Sequence, residues 1–582
     1  MPFILGGIED QVGMVLLGEY PAYFIGNLGA PFGYLFIKPW QLNEPLSSTI
    51  LHLGVKVFPT IYFLNFVSMA SIFLAFVFSY TLFKRMKVAW FISLFLSATF
   101  SLSPYISMHI GTHPALLQIW LIPLFLQRIL LKKGVSFFNA VITGFILAIA
   151  VLISNYIGFF LILFMLCFFV SNMLCSICLD GVRHFKDLLC KDLRRYATIL
   201  ISFAIFAVPF LFPYIKANYF SDTTAFSTSH SLNPQRTLED FQNFSARPWY
   251  YVLPPLSHPI LGEVVTRPVL EWMKDDWGYF LADDYFPKEH GGGYLGVANL
   301  VIFALAIWFA FKQALWKIKG QRSKVKNESK NSKVYYSGES LRLVLTVTIT
   351  IVLLFLFTMP PFFTMSGHKI YTLGFVLYKF FPMFRVTARL GIVILMCVLV
   401  VNGLFLQKLL VQNQKSNVKN QKLKSKFKII IIIYTIFALF EFYVPISTFN
   451  TSKVPPVYEY LSKVDKTVSF DFTGLTGKRG FYEGPLIIAE YPGGRSEDIF
   501  WITKHHKGFI NPRMYKNEEY GFDSDNFTKK LITEEGLSNA RKYGVSFVIF
   551  HKDRNPEIGS EGFFREFLEV ERDFGNVILF RF

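Results

Sequence analysis

The chain has 582 residues, of which 53% are hydrophobic, 18% aromatic and only 17% charged. Its 58 Lys and Arg outnumber its 40 Asp and Glu, for a formal net charge of +18. A soluble globular chain carries about 25% charged residues, so this composition excludes a disordered chain, a disulfide scaffold and a collagen-like repeat. The excess positive charge is left to face either a bilayer or a nucleic acid.

In chain order, residues 1–57 come first and carry Gly6-Gly7 ahead of the acidic pair Glu9-Asp10. No basic n-region or signal peptide precedes them. Ten apolar runs of about 17–25 residues, long enough to cross a hydrocarbon core, follow at roughly 58–83, 88–104, 115–131, 137–153, 155–178, 196–216, 294–314, 342–360, 386–409 and 427–447. The apolar stretch 371–382 is too short to span and is expected at the interface. If the spans alternate, the basic clusters all fall on one side. They are Lys84-Arg85-Lys87, Arg128 with Lys132-Lys133, Arg183 to Arg195, Lys312 to Lys333 and Lys408 to Lys428. Together they hold more net positive charge than the whole chain's +18, so positive-inside makes that side cytoplasmic. Anionic headgroups are adequate partners for these clusters, and nothing in the sequence calls for a nucleic acid.

Residues 1–57, 105–114, 217–293, 361–385 and the tail from 448 then lie outside. A segment placed outside normally follows a helix that carries it there, so a first helix is expected to be missing ahead of residue 1. The expected fold is mainly α: a polytopic helical membrane protein with a small extracytoplasmic α/β domain. Its parts are a first outer segment (1–57), a multi-span domain (58–447) that includes the long outer loop 217–293, and the tail (448–582). In the tail, Thr467–Phe472, Pro485–Glu490, Val545–His551 and Asn576–Phe580 read as strands, and Asn526–Tyr543 as a helix. His505-His506 reads as structural or surface, and the tail as a binding or packing module. The five cysteines, Cys167, Cys175, Cys178, Cys190 and Cys397, all fall in spans or cytoplasmic loops. Cys175 and Cys178 lack the second pair a zinc site needs.

Candidate chemistry lies on the outer side. Asp10, with Glu9 as second choice, is placed to act as general base on a hydroxyl or to hold a divalent metal; a solvated acidic loop is the alternative. His109 and His113, four apart, would share a helix face and suit phosphate, metal or proton transfer. The aromatic loop around Trp249-Tyr250-Tyr251 carries His258 and the pairs Asp275-Asp276 and Asp283-Asp284, which suit sugar or cation binding as well as mere solubility. Arg385 and Arg389, also four apart, sit on the side where positive-inside disfavours arginine. A phosphate partner would offset the cost of about 2.5–3.5 kcal/mol for placing one in the membrane, and snorkelling to the interface is the alternative. The sequence makes no cofactor certain; a divalent cation, magnesium or manganese, is compatible with the carboxylates.

The ordered set resembles the polytopic glycosyltransferases of the GT-C superfamily, near the YfhO-like bacterial membrane proteins. It comprises Gly7-Ile8-Glu9-Asp10-Gln11, Ser103 to His113, Pro254 to Gly262, Gly293-Tyr294-Leu295-Gly296, Phe384 to Arg389 and the terminal α/β domain. The resemblance implies an enzyme of the cytoplasmic membrane that moves a sugar from a polyprenyl-phosphate donor to a glycan, lipid or protein acceptor outside, with inversion. It implies Asp10 as base and Arg385 and Arg389 on the donor phosphate. A lipid-linked glycan transporter or flippase, and a non-catalytic envelope assembly protein, are the competing readings.

Overall fold

The computed structural model describes most of residues 44–582. Residues 220–236, 277–288, 323–335, 417–431, 472–480 and a few shorter stretches lie outside the described residues. Before residue 44 it describes only Phe3–Ile4, Phe24–Ile25, Ala30–Pro31 and Tyr34–Leu35. The chain divides into two compact units: 66–210 with 234–446, and 1–65 with 211–233 and 447–582.

The protein is mainly α, a polytopic helical membrane protein with a small C-terminal α/β region. In chain order the helices are α1 (Pro45–Val57), α2 (Thr60–Arg85), α3 (Trp90–Ser101), α4 (Pro104–His109), α5 (Leu121–Leu130), α6 (Phe137–Ile153), α7 (Asn155–Asp180), α8 (Val182–Tyr219), α9 (Arg267–Asp276), α10 (Val297–Arg322), α11 (Gly338–Thr358), α12 (Leu373–Phe380), α13 (Gly391–Ser416) and α14 (Ile432–Glu441). Among the described residues seven helices are long and apolar enough to cross a membrane. The third, fourth and tenth expected spans hold the shorter α5, α6 and α14. α5 is short because residues 114–120 fold as turns before it begins. Its 10 residues reach about 15 Å, half a hydrocarbon core.

α13 is the axis of the membrane unit. Residues 391–403 are buried without interruption, and α3, α10 and α11 pack on it, while α7 packs on α6 and α11. Small residues let helices close up, as expected where lipid gives no hydrophobic drive. A Cβ on Gly144 of α6 would lie 2.4 Å from the Ile199 carbonyl of α8, and Ser202 Oγ donates to the Val141 carbonyl at 2.9 Å. The turn between α6 and α7 is Ser154 in extended conformation. At the far end of α7, Asn172 donates to Asp192 Oδ2 at 2.7 Å and accepts from Arg342 Nε at 3.3 Å, with Ser176 also bonded to Arg342. The stretch expected at the interface starts in a hairpin, β1 (Phe362–Met365) with β2 (His368–Tyr371), and continues as α12, capped by Thr372 Oγ1, which accepts from Gly374 N at 3.0 Å.

The C-terminal region contains α15 (Pro456–Lys463), β3 (Thr467–Asp471), β4 (Phe481–Pro485), β5 (Ile487–Tyr491), α16 (Ser496–His505), β6 (Gly508–Phe509), α17 (Ser524–Lys530), α18 (Glu534–Lys542), β7 (Val545–His551), α19 (Ser560–Phe567), β8 (Glu569–Asp573) and β9 (Val577–Arg581). The main sheet runs β6-β5-β7-β9-β8, with β5 parallel to both β6 and β7, and β9 antiparallel to β7 and β8. β5 is buried along its whole length, as a strand covered on both faces must be. Ala489, Val548 and Phe580 face Phe527, Leu537 and Phe564; Ile488, Ile549 and Leu579 face Leu461, Trp501 and Ile502. The single helix expected over Asn526–Tyr543 is instead two. The first ends at Lys530, and after a short turn Thr533 caps the second, its Oγ1 accepting from Gly536 N at 3.0 Å.

Candidate functional site

Three pieces of chain meet at the N-terminal end of α13. The first is α4. Pro104 opens it and His109 closes it. His109 Nδ1 donates to the Tyr105 carbonyl at 2.7 Å, and the two rings stack at 4.1 Å. That bond fixes the tautomer and turns Nε2 toward Glu289 Oε2, 3.7 Å away. The second piece is the turn Glu289-His290-Gly291-Gly292-Gly293. Its glycines let the chain pass where side chains would collide. Gly291 has φ +107°, with room for no Cβ against Pro255 at 2.9 Å. A Cβ on Gly391 would lie 2.6 Å from Gly293 Cα. The third piece is Phe384 to Leu390, pinned by Thr387 Oγ1 donating to the Thr358 carbonyl at 3.1 Å and by Ala388 N donating to the Phe244 carbonyl at 3.3 Å.

The result is a buried ion pair. Arg389 donates to Glu289 Oε1 from Nη2 at 2.9 Å and from Nε at 3.2 Å. Their side chains are 12% and 10% exposed. The guanidinium also lies over the Tyr156 ring, 5.3 Å from its centroid. Tyr105 Oη, near enough to feel both charges of the pair, is buried without a hydrogen-bond partner among the described residues, as are Ser103 Oγ and His290 Nδ1 on the neighbouring chain segments. Burial pushes the His290 ring down to about 4, so it is neutral at physiological pH. Buried polar atoms without partners are rare in native proteins and are normally met by water or a ligand.

The structure sorts the expected residues. His109 and Arg389 come together. Arg385 does not share a helical face with Arg389, because the helical turn starts only at Thr387; its guanidinium lies over the Phe244 ring, 4.6 Å from the centroid. His113 is more exposed than the buried His109, yet it lies near enough to His109, Arg389 and Glu289 to feel their charges, so it stands at the edge of the same cluster. His258 is corrected. Its Nε2 donates to the Phe440 carbonyl at 2.9 Å and its Nδ1 accepts from Leu261 N at 3.0 Å. Nε2 ties the loop to α14 and Nδ1 caps the loop's own turn, so neither is left for a substrate or a metal. Asp275 and Asp276 end α9; Asp283, Asp284, Glu9 and Asp10 lie outside the described residues.

Two acids that carry this architecture are Glu289 and Glu441. Glu441 caps α10, accepting from Tyr294 Oη at 3.1 Å, Val297 N at 3.2 Å and Ala298 N at 3.2 Å. Gly296, at φ +81°, provides the turn into that helix. The sequence signal for Glu289 is the glycine triplet two residues after it, which marks a close backbone approach. Among the described residues no three His, Cys, Asp or Glu side chains group to hold a metal. Glu289 is already neutralised by Arg389, so these donors do not fit a divalent cation.

No family model and no curated protein sequence matches the chain. It is similar in structure to the oligosaccharyltransferase AglB from Archaeoglobus fulgidus, solved with an inhibitory peptide and a dolichol-phosphate. The identity is 11% and the TM-score 0.46, over 94% of this chain and 66% of that one. It is also similar to ArnT from Cupriavidus metallidurans bound to undecaprenyl phosphate, at 10% identity and TM-score 0.41, over 100% of this chain and 94% of that one. The chain thus spans just under two thirds of the length of AglB. No residue role is carried over from either.

Proposed function

We propose that the protein is a membrane glycosyltransferase that moves a sugar from a polyprenyl-phosphate donor to an acceptor hydroxyl outside the cytoplasmic membrane. The observation that carries this reading is Arg389: a guanidinium held at the end of the most buried helix, beside a buried Tyr105 hydroxyl that lacks a partner among the described residues, at the helix end opposite Lys408. A permanent cation so placed suits a phosphate whose lipid tail lies in the bilayer. Arg385, nearby in sequence, is the second candidate for the same phosphate.

In this mechanism the acceptor oxygen attacks the anomeric carbon as the bond from that carbon to the phosphate oxygen breaks. The bonding electrons leave with the polyprenyl phosphate, and the acceptor proton passes to a carboxylate, for which Asp10 is the candidate. Charge builds on the departing phosphate, so a pre-placed guanidinium stabilises the transition state more than the ground state. Tyr105 and His109 would complete the polar wall of the site. The tail is read as an extracytoplasmic module, with the acceptor as its candidate partner.

The test is sugar transfer in membranes supplied with a radiolabelled polyprenyl-phosphate sugar. Arg389→Ala is expected to reduce turnover by about 10²–10³, the scale of losing one electrostatic stabiliser. Asp10→Asn is expected to reduce it at least as far. Undiminished transfer in Asp10→Asn removes that residue as base. Labelled lipid that crosses the membrane with no covalent product would favour a flippase instead.

A further inference from the structure

A fork of guanidinium donors matches two oxygens of one anion, each N–H on its own acceptor. Arg389 does not have that match. Nε and Nη2 both converge on Glu289 Oε1, at 3.2 and 2.9 Å. The other oxygen, Oε2, stands 3.7 Å from His109 Nε2, outside hydrogen-bond range. A fully buried Tyr105 hydroxyl, near enough to Arg389 and Glu289 to feel both charges, has no acceptor among the described residues. The carboxylate therefore neutralises Arg389 but uses the surrounding donors poorly. A phosphate, with more oxygens, would use them better.

We propose that Glu289 is a resting counter-ion that holds the place of the donor phosphate on Arg389 and exchanges with it during each cycle. The inference rests on the phosphate-binding role proposed above for Arg389. Without donor, Glu289 keeps a buried arginine from standing unpaired, which would cost several kcal/mol. When the lipid phosphate arrives, its oxygens take the Nε and Nη2 hydrogens, and Glu289 Oε1 gives them up. After transfer, Glu289 competes for Arg389 again and helps expel the spent polyprenyl phosphate. Glu289 is thus a positioning residue, acting through Arg389, and it trades donor affinity for product release.

The experiment uses the full chain in lipid nanodiscs. Binding of undecaprenyl phosphate, and separately of inorganic phosphate, is measured for wild type, Arg389→Ala, Glu289→Gln and Glu289→Asp, and transfer kinetics are measured alongside. Glu289→Gln is expected to bind undecaprenyl phosphate about tenfold more tightly, the scale of removing one close competing charge. It should lower KM and kcat together and strengthen inhibition by the lipid product. Glu289→Asp is expected to restore wild-type behaviour in part, and it keeps the test available if Glu289→Gln does not fold. A gain confined to undecaprenyl phosphate assigns the site to the lipid; a gain with both ligands assigns it to phosphate in general and also supports exchange. If wild type binds undecaprenyl phosphate through Arg389 but neither Glu289 variant alters affinity, exchange is overturned while the phosphate reading stands. If Arg389→Ala binds as well as wild type, the phosphate reading itself fails.

Discussion

Glu441 offers the sharpest test of how the membrane unit holds together. Its carboxylate accepts three hydrogen bonds, one from Tyr294 and two from the first turn of α10. In Glu441→Leu, the Tyr294 hydroxyl and two backbone N–H groups lose their acceptor. Each buried donor so orphaned costs about 1–3 kcal/mol, and the carboxylate's attraction to the helix N-terminus adds a few tenths to 1 kcal/mol. Val297 N is only partly buried, and leucine regains apolar contact, so the net loss should be about 3–4 kcal/mol. Glu441→Gln keeps one carbonyl oxygen for Tyr294 and Val297 and sets its amide against Ala298 N; it should cost about 1–2 kcal/mol. Tyr294→Phe should cost about 1 kcal/mol alone and almost nothing in the Glu441→Leu background, because the two share one bond. The assay is unfolding of the full chain in mixed micelles, with hydrogen exchange at Val297 and Ala298 as the local readout. If Glu441→Leu falls within about 0.5 kcal/mol of wild type, or Tyr294→Phe costs the same in both backgrounds, the capping argument is wrong.

Two further outcomes are expected in the C-terminal region. Glu490 is fully buried and accepts from Tyr458 Oη at 2.8 Å and from His551 Nε2 at 2.9 Å, with Arg554 at 3.4 Å. Glu490→Ala should therefore lower full-chain stability by about 3–5 kcal/mol, the cost of breaking a buried pair from one side, while Tyr458→Phe costs about 1 kcal/mol; equal effects in a denaturant titration would show that the carboxylate is not the hub. Burial, with a smaller push from Lys507, drives His505 down to about 3. The unfolded chain, with an ordinary imidazole near 6.5, then takes up the proton first as pH falls. Stability is lost below about pH 6.5, by up to about 1.4 kcal/mol per unit. Between pH 6.5 and 4.5 the wild type should lose about 2–3 kcal/mol more than His505→Gln, and parallel pH profiles would refute it.

The elements that could be read from sequence are those whose signal is local. The α6–α7 break is visible because Ser154-Asn155 is the one polar step between two apolar runs, and β7 because Val545–His551 is rich in β-branched and aromatic residues. The tail helix is misjudged where a continuous amphipathic pattern outweighs Thr533, whose capping role depends on the turn before it. Site residues are less legible, for a different reason. Arg389 announces itself as an arginine in the wrong place, but its partner Glu289 lies 100 residues away in sequence and is one of several acids in its loop. His258 looks reactive in sequence, and only the fold shows both of its nitrogens committed. Glu441 is noticeable as an acid within an apolar run, yet its role depends on Gly296 turning α10 toward it.

α7 touches a polar layer at each end. Tyr156 lies beneath Arg389, and Asn172 holds Arg342 and Asp192. Between them the helix carries no charged side chain over fifteen residues, from Ile157 to Ser171. The two layers are thus about 24 Å apart along the helix axis, against about 30 Å for an average hydrocarbon core. Both layers are pinned by side-chain contacts, so their spacing is fixed inside the protein rather than set by the lipid. The apolar helix itself runs on past Asn172 to Leu179, with Leu174 and Ile177 exposed, so its outer surface is long enough for an average hydrocarbon core. Inner polar spacing and outer apolar length are therefore independent, and a change of acyl-chain length is met by tilt of the helix without moving either polar layer.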